Sequence, residues 1–307
     1  MDRIFNMTAP ELQRFQRFHQ KLRMENKRQE NQIKPPLHAS DVKMTADFTF
    51  ASFTPSEQIG DSGHLLLAKC KSDRSQRYIV KHEYTDCAAN EFVYTKLAQA
   101  MGFKMPNAVL FQISENEKRK YFKSEYILGT SFLDFVLKDP SYEQIRENAL
   151  NWEDFFHFKA MFDMFLESDS FETPIAKDGY LYRIDTSASF NLPIYVFDFG
   201  GINQEFRRMN PKEYFAKYIN QIPYDDLWQC IDFNSSLERL IQTYSVDGKR
   251  PYIETFSLIQ DIRSDYIDDF LNTLCYFYPD FIGDYYKQFI LALQKRSEIF
   301  LKEWKLR

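Results

Sequence analysis

Apolar positions change period along this chain. From about residue 46 to 127 they alternate in short runs. Phe48-Thr-Phe-Ala-Ser-Phe53, Leu65-Leu-Leu-Ala68, Arg77-Tyr-Ile-Val-Lys81, Ala108–Ile113 and Lys123–Ile127 read as strands. One helix interrupts them. Its expected N-cap is Asp86, its apolar series is Ala89, Val93, Leu97 and Met101, and Gly102 stops it. Beyond Gly129 the period is helical. Trp152–Leu166 sets Phe155, Phe158, Met161, Phe162 and Phe165 on one face, and Asn210-Pro-Lys-Glu213 has the cap, proline and acid of a helix start. Two more helices are expected from Ser264 (Ile267, Phe270, Leu271, Leu274) and after Pro279 (Phe289, Leu293, Phe300, Trp304). Ahead of the strands, residues 8–33 predict a polar helix with a narrow stripe of Leu12, Phe15, Phe18 and Leu22, ended by Lys34-Pro35-Pro36. The organisation predicted is a helical extension and linker over 1–45, a small mixed unit over 46–128, and a larger helical unit over 129–307.

One segment of the helical part breaks its pattern. Ile175-Ala-Lys-Asp-Gly-Tyr-Leu-Tyr-Arg-Ile-Asp185 reads as a short strand, a turn and a second, alternating strand that ends on an acid. Asp-Gly between two such runs is a strong hairpin signal. An acid at the exit of a hairpin is a place from which a carboxylate can hold a metal ion.

Composition narrows the classes. With 307 residues, 44% hydrophobic and 17% aromatic, the chain can bury a substantial core, and its 30 Phe predict an aromatic-rich interior. A net charge of -5 is too mild to point to nucleic acid or an acidic membrane as the main partner. Four cysteines, Cys70, Cys87, Cys230 and Cys275, form no CxxC pair and no metal-ligand spacing, so reduced, buried thiols and a cytoplasmic location are expected. No apolar run reaches a membrane span and no signal-peptide core follows Arg3, so any export would use a route without such a signal. The basic face of 8–33 reads as a solvated surface, or else as a docking face for an acidic partner.

Several residues form a candidate nucleotide site. Lys81 closes a strand and Glu91 lies ten residues on (91 − 81), early in the helix that follows. A buried Lys–Glu pair of this kind aims an ammonium at the α- and β-phosphates of ATP; apart, the two are an edge lysine and a first-turn carboxylate favoured by the helix dipole. Gly60-Asp-Ser-Gly63 would let backbone amides approach phosphates, or is an ordinary turn. Glu125-Tyr-Ile-Leu-Gly129 stands where a hinge would run, with the backbone of Glu125 and Ile127 facing an adenine edge. Two aspartates compete for a metal. Asp198 lies in Phe197-Asp-Phe-Gly200, but only seven residues separate it from Asn191 (198 − 191), and Pro193 breaks that segment. Asp185 has a complete hairpin before it and is preferred.

The segment Lys177-Asp-Gly-Tyr-Leu-Tyr-Arg-Ile-Asp185 resembles the strand–turn–strand–Asp segment of phosphoinositide-kinase-like and HipA-like kinases. In bacterial HipA-like and CtkA-like proteins that segment commonly ends Arg-Ile-Asp. Tyr78-Ile-Val-Lys81, Ala88-Ala-Asn-Glu91 and Ala98-Gln-Ala-Met-Gly-Phe-Lys-Met-Pro106 are similar to that family's strand and helix, and the likeness covers roughly residues 58–200. It implies an α+β, bilobal protein-kinase-like fold, with a small mixed N-lobe of antiparallel sheet and one helix and a larger helical C-lobe. It further implies an ATP-dependent kinase using Mg²⁺ or Mn²⁺, often acting on protein Ser or Thr and sometimes the toxin of a toxin–antitoxin pair. Counting back from Asp185, Glu172 and Glu167 stand where such kinases place the second metal ligand and the catalytic acid.

The chain departs from that pattern in its catalytic loop. Leu166-Glu-Ser-Asp-Ser-Phe-Glu-Thr173 has no basic residue and no Asn, and Thr186-Ser-Ala-Ser189 replaces the Gly-Gly that follows the metal aspartate. Glu167 or Asp169 remains as a general base and Glu172 as an oxygen ligand beside Asp185. The alternatives are a pseudokinase that holds a nucleotide or a partner protein, and a kinase for a small-molecule or lipid hydroxyl.

Overall fold

The computed structural model describes residues 41–52, 65–81, 85–113, 126–190, 224, 227–228, 231–277 and 280–305. The chain forms two compact units: residues 36–152 with 172–187, and residues 1–35, 153–171 and 188–307. The expected helix over 8–33, the start at Asn210, Gly60, Gly63, Glu125, Asn191 and Asp198 all lie outside the described residues.

The first unit is built on a six-stranded sheet. Its strands are β1 (Val42–Met44), β2 (Phe48–Ser52), β3 (Leu65–Cys70), β4 (Arg77–Lys81), β5 (Ala108–Gln112) and β6 (Tyr126–Ser131). Their order across the sheet is β1-β5-β6-β4-β3-β2, with β1 parallel to β5 and every other pairing antiparallel. Strand alternation sends Phe48, Ala68, Cys70, Tyr78, Val80, Val109 and Phe111 to one face, where they pack as a cluster. Phe111 is its hub, edge-on to Phe48 at 5.0 Å and to Tyr78 at 5.7 Å between ring centroids.

Helix α1 (Thr85–Ala100) packs against β5 and β6. Ala89, Val93, Leu97 and Met101 are buried as the spacing predicts, but so are Asn90, Glu91, Phe92, Tyr94 and Thr95. The helix is therefore covered nearly all round, with polar side chains inside. It ends at Gly102 (φ +90°), where the Phe103 amide donates to the Ala98 carbonyl at 3.0 Å. It begins at Thr85, so Asp86 lies inside the first turn and is not the N-cap.

The hinge expected at 125–129 is strand from Tyr126 on. β6 runs to Ser131, with Val80 and Val109 on either side of Gly129, and Ile127 pairs with Phe111 inside that strand. A Cβ at Gly129 would lie 2.3 Å from Phe111 Cε2, so glycine here makes room for the ring. The chain leaves the sheet after Ser131, enters β7 (Phe135–Leu137) and then α2 (Tyr142–Asn148), a short helix with a capping box between Ser141 and Gln144.

The hairpin forms, but the second strand is not continuous. β8 (Ile175–Ala176) pairs with β7, and the return leg pairs with the first through the isolated bridges Ile175↔Leu181 and Glu172↔Ile184. Gly179 takes φ +82° in the turn and Asp178 accepts from the Tyr180 amide at 3.1 Å and the Tyr182 hydroxyl at 2.7 Å. Asn151 replaces a strand partner: its Oδ1 accepts from the Leu181 amide at 2.7 Å and its Nδ2 donates to the Leu181 carbonyl at 3.1 Å.

The second unit is helical: α3 (Asp154–Met164), α4 (Phe233–Thr243), α5 (Lys249–Gln260), α6 (Ser264–Phe277) and α7 (Asp280–Lys305). α5 packs on α3 and α7, and α6 packs on α7. Phe256 lies 4.2 Å from Phe300 and 4.8 Å from Phe233 between ring centroids, and Phe190 is enclosed by Phe165, Tyr286 and Phe289. The predicted apolar faces of α3, α6 and α7 are buried, apart from Phe162 and Trp304, which are half-buried. Among the described residues no helix is long and apolar enough to cross a membrane, and Cys70 and Cys275 are in the thiol form.

Gly129→Val should strain the sheet at its aromatic hub. Chemical denaturation is expected to show a loss of about 1–3 kcal/mol, and an unchanged midpoint would mean Phe111 has room to move aside.

Candidate functional site

Lys81 is the last residue of β4, paired with Leu65 and Leu128 in the sheet interior. Alternation turns it away from the face of Tyr78 and Val80, toward α1. Its ammonium donates to Glu91 Oε2 at 2.9 Å and to Asp185 Oδ1 at 2.6 Å. Strand, helix and hairpin each supply one member of this triad. Glu91 is buried, whereas the side chains of Lys81 and Asp185 are 23% and 38% exposed. The site is anchored inside and open at the end where Asp185 stands.

The sequence alone gave no sign of the fourth member. Arg183 is fully buried, and its Nη1 donates to the Glu172 carbonyl at 2.9 Å and to the Ile184 carbonyl. It also interacts with the Tyr94 hydroxyl, and its charge acts on Glu91 and Asp185. Two cations thus face two carboxylates, the balance that burying such groups requires. Leu181 and Arg183 share a face, and only their burial in the fold shows that this face is inward.

The electrostatics follow from that packing. Burial alone would lower the Lys81 ammonium, but Glu91 and Asp185 outweigh it and hold the group above its ordinary value. The Lys81 charge keeps Asp185 below the ordinary carboxylate range. Burial pushes Glu91 up, with Lys81 opposing, and pushes Tyr94 up to about 12.

Asp185 has φ +55°, in the left-handed region. Non-glycine residues held there are concentrated at functional positions, because surrounding contacts must hold them. Here the contact is visible: Asn90, beside Glu91 on α1, donates from Nδ2 to the Ser187 carbonyl at 2.8 Å. Asn90 is a second residue the sequence reading missed. The helix therefore grips Lys81 with one residue and the segment after Asp185 with its neighbour, so Thr186-Ser187 keeps its course without the expected glycines.

Glu172 belongs to the same unit as the triad. Its bridge to Ile184 and the Arg183 contact fix its backbone one residue from Asp185 across the ladder. Ladder parity groups the Glu172 side chain with Ile184, and the left-handed turn at Asp185 breaks the alternation at the next residue. Glu167 and Asp169 belong to the helical unit. Glu167 is buried, and Asp169 is half-buried with Oδ1 accepting from the Ser170 amide at 2.7 Å. Among the described residues no three His, Cys, Asp or Glu side chains cluster as a metal cage. A divalent ion here would combine one or two carboxylates with phosphate and water ligands, the pattern Mg²⁺ favours.

No family model matches the chain, and no curated protein matches it. Among solved structures, the crystal structure of the Helicobacter pylori proinflammatory kinase CtkA is a weak neighbour. Its TM-score is 0.39 at 12% identity, and the match covers 81% of this chain and 96% of that one. A likeness that weak leaves the site to be argued from its own geometry.

Two outcomes test this arrangement. Arg183→Met removes a buried cation and the donor to two carbonyls, and should cost about 3–5 kcal/mol in denaturation; a loss under about 1 kcal/mol would mean the charge is not balanced inside. Asp185 has a folded value below its unfolded one, so its contribution is present above the unfolded value near pH 3.9 and is lost as pH falls through the folded value. Asp185→Asn should therefore flatten the acid limb of the stability–pH curve, and identical limbs would remove Asp185 from the charge balance.

Proposed function

We propose that the unit holding Lys81, Glu91 and Asp185 binds ATP with Mg²⁺ or Mn²⁺, and that the protein transfers the γ-phosphoryl group to a hydroxyl, with protein Ser or Thr as the acceptor class. The observation that carries this reading is the Lys81 ammonium, hydrogen-bonded to carboxylates 10 and 104 residues away in sequence. A buried carboxylate that aims a strand lysine, with a second carboxylate beside it at an open edge, is the arrangement that orients and neutralises a triphosphate. The hairpin's likeness to HipA-like kinases points the same way.

In this reading Lys81, aimed by Glu91, contacts the α- and β-phosphates. Asp185, joined by Glu172, is the carboxylate position for the divalent ion, which would neutralise phosphate charge when bound. Asp169 or Glu167 takes the proton of the attacking hydroxyl. The hydroxyl oxygen bonds to the γ-phosphorus as the bond to the bridging oxygen breaks, and ADP leaves. Of the two acids, Asp169 is half-buried and Glu167 is buried. The nucleotide- or partner-binding module remains a second reading because Glu167 is buried and the loop has no basic residue or Asn.

Losing a phosphate-directed ammonium removes a contact worth about 1.5–3 kcal/mol, so Lys81→Ala should weaken ATP affinity at least about tenfold by calorimetry. Equal affinity would end the assignment. Intact mass after incubation with ATP and Mn²⁺ should show added phosphate, and Asp169→Ala should abolish the addition while leaving ATP affinity unchanged. Metal-dependent ATP binding with no phosphoryl transfer to the chain or to a general protein acceptor would select the binding module instead.

A further inference from the structure

At the far end of β4 from Lys81, the turn between β3 and β4 carries a cavity of about 730 Å³. Lys69, Lys71, Arg74 and Arg77 line it together with the hydroxyl residues Thr49 and Ser75, and no carboxylate residue is in the lining. Such a concentration of positive charge stands out on a chain of net charge -5. Lys69 and Arg77 are direct partners in the β3–β4 register, on the face opposite the one that buries Cys70 and Tyr78; this is the face of Lys81, at the other end of the strand. Like charges placed opposite each other across a ladder are destabilising. An anion bound between them turns that repulsion into attraction.

The neighbouring groups leave this charge in place. The carboxylate of Asp73, the acid in the turn, accepts from the Ser75 amide at 2.9 Å, the Ser75 hydroxyl at 2.6 Å and Gln76 Nε2 at 3.1 Å. Lys71 Nζ donates to the Ala46 carbonyl at 2.6 Å, which fixes the ammonium without neutralising it. Arg77 lies over the Phe132 ring at 4.5 Å, which fixes its guanidinium plane. Among the described residues none of the four cations forms an ion pair. The volume falls within the roughly 300–1,000 Å³ of small-molecule sites.

We propose that this cavity is an anion site for a small ligand carrying two or more phosphate groups, either free or as a lipid headgroup. Arg77 and Lys81 are about 13 Å apart along the strand, so the site is separate from the triad. It stands whether or not the triad binds ATP.

The test measures binding of inorganic tripolyphosphate in EDTA, which withholds the divalent ion from the triad. Wild-type protein is expected to bind it. Lys69→Gln/Arg74→Gln, two exposed substitutions, should bind at least about tenfold more weakly, and wild-type affinity should fall as salt is raised. In parallel, phosphatidylcholine vesicles with and without a phosphoinositide bisphosphate are sedimented with the protein. Binding to the doped vesicles, lost in the double variant, would support the site with a lipid headgroup as the source. Tripolyphosphate binding without vesicle binding would support a free ligand. No binding to either, or equal binding by wild type and the double variant, would overturn the proposal.

Discussion

The Lys81 ammonium is the point on which the sheet unit depends. It lies where strand β4 ends, is held by a carboxylate from the helix that follows, and is held again by a carboxylate from a hairpin far along the chain. Charges taken out of water need partners inside. That requirement accounts for features that otherwise look unrelated. It explains why α1 keeps Asn90 and Glu91 on a helix that is buried nearly all round. It explains why a fully buried arginine sits two residues before Asp185. It also explains why the backbone of Asp185 is held in the left-handed region.

The members of the triad were legible because each stands at a boundary with its own local grammar. Lys81 ends an apolar strand, Glu91 lies early in a helix with a clear stop, and Asp185 leaves an Asp-Gly turn. Arg183 was not legible in the same way. One arginine in an alternating run ordinarily points to solvent, and only the fold reveals that its position is inward. Asn151 was hidden for a related reason: its role is to replace a strand partner for Leu181, and such a clamp has no periodic signature.

Element boundaries failed where two physical signals conflicted. Glu125–Gly129 stands where a hinge would run, with helical sequence expected beyond it, yet the Phe111 ring requires glycine at 129 and the strand runs on to Ser131. Thr85 and Asp86 are both good caps, and the earlier residue begins the helix. The short α2 and the helices α4 and α5 were not anticipated. Their apolar positions are few, and α4 shows mainly Phe233, Leu237 and Leu240 on a polar background. The aromatic-rich interior was anticipated, and it takes the form of edge-on ring clusters around Phe111 in one unit and Phe190 in the other.

The first unit is made of two stretches of chain, with residues 153–171 of the other unit running between them. This has a consequence for the order in which the protein is made. Asp185 is added 104 residues after Lys81, a lag of about 5–20 seconds at ordinary rates of synthesis. During that interval the ammonium and Glu91 exist as a two-member pair, and all six strands of the sheet and α1 have been made by its end. Closing a loop of that length is also costlier than closing the ten-residue link to Glu91. The nascent protein therefore holds a waiting cation, and the site is completed only when the hairpin has emerged and docked.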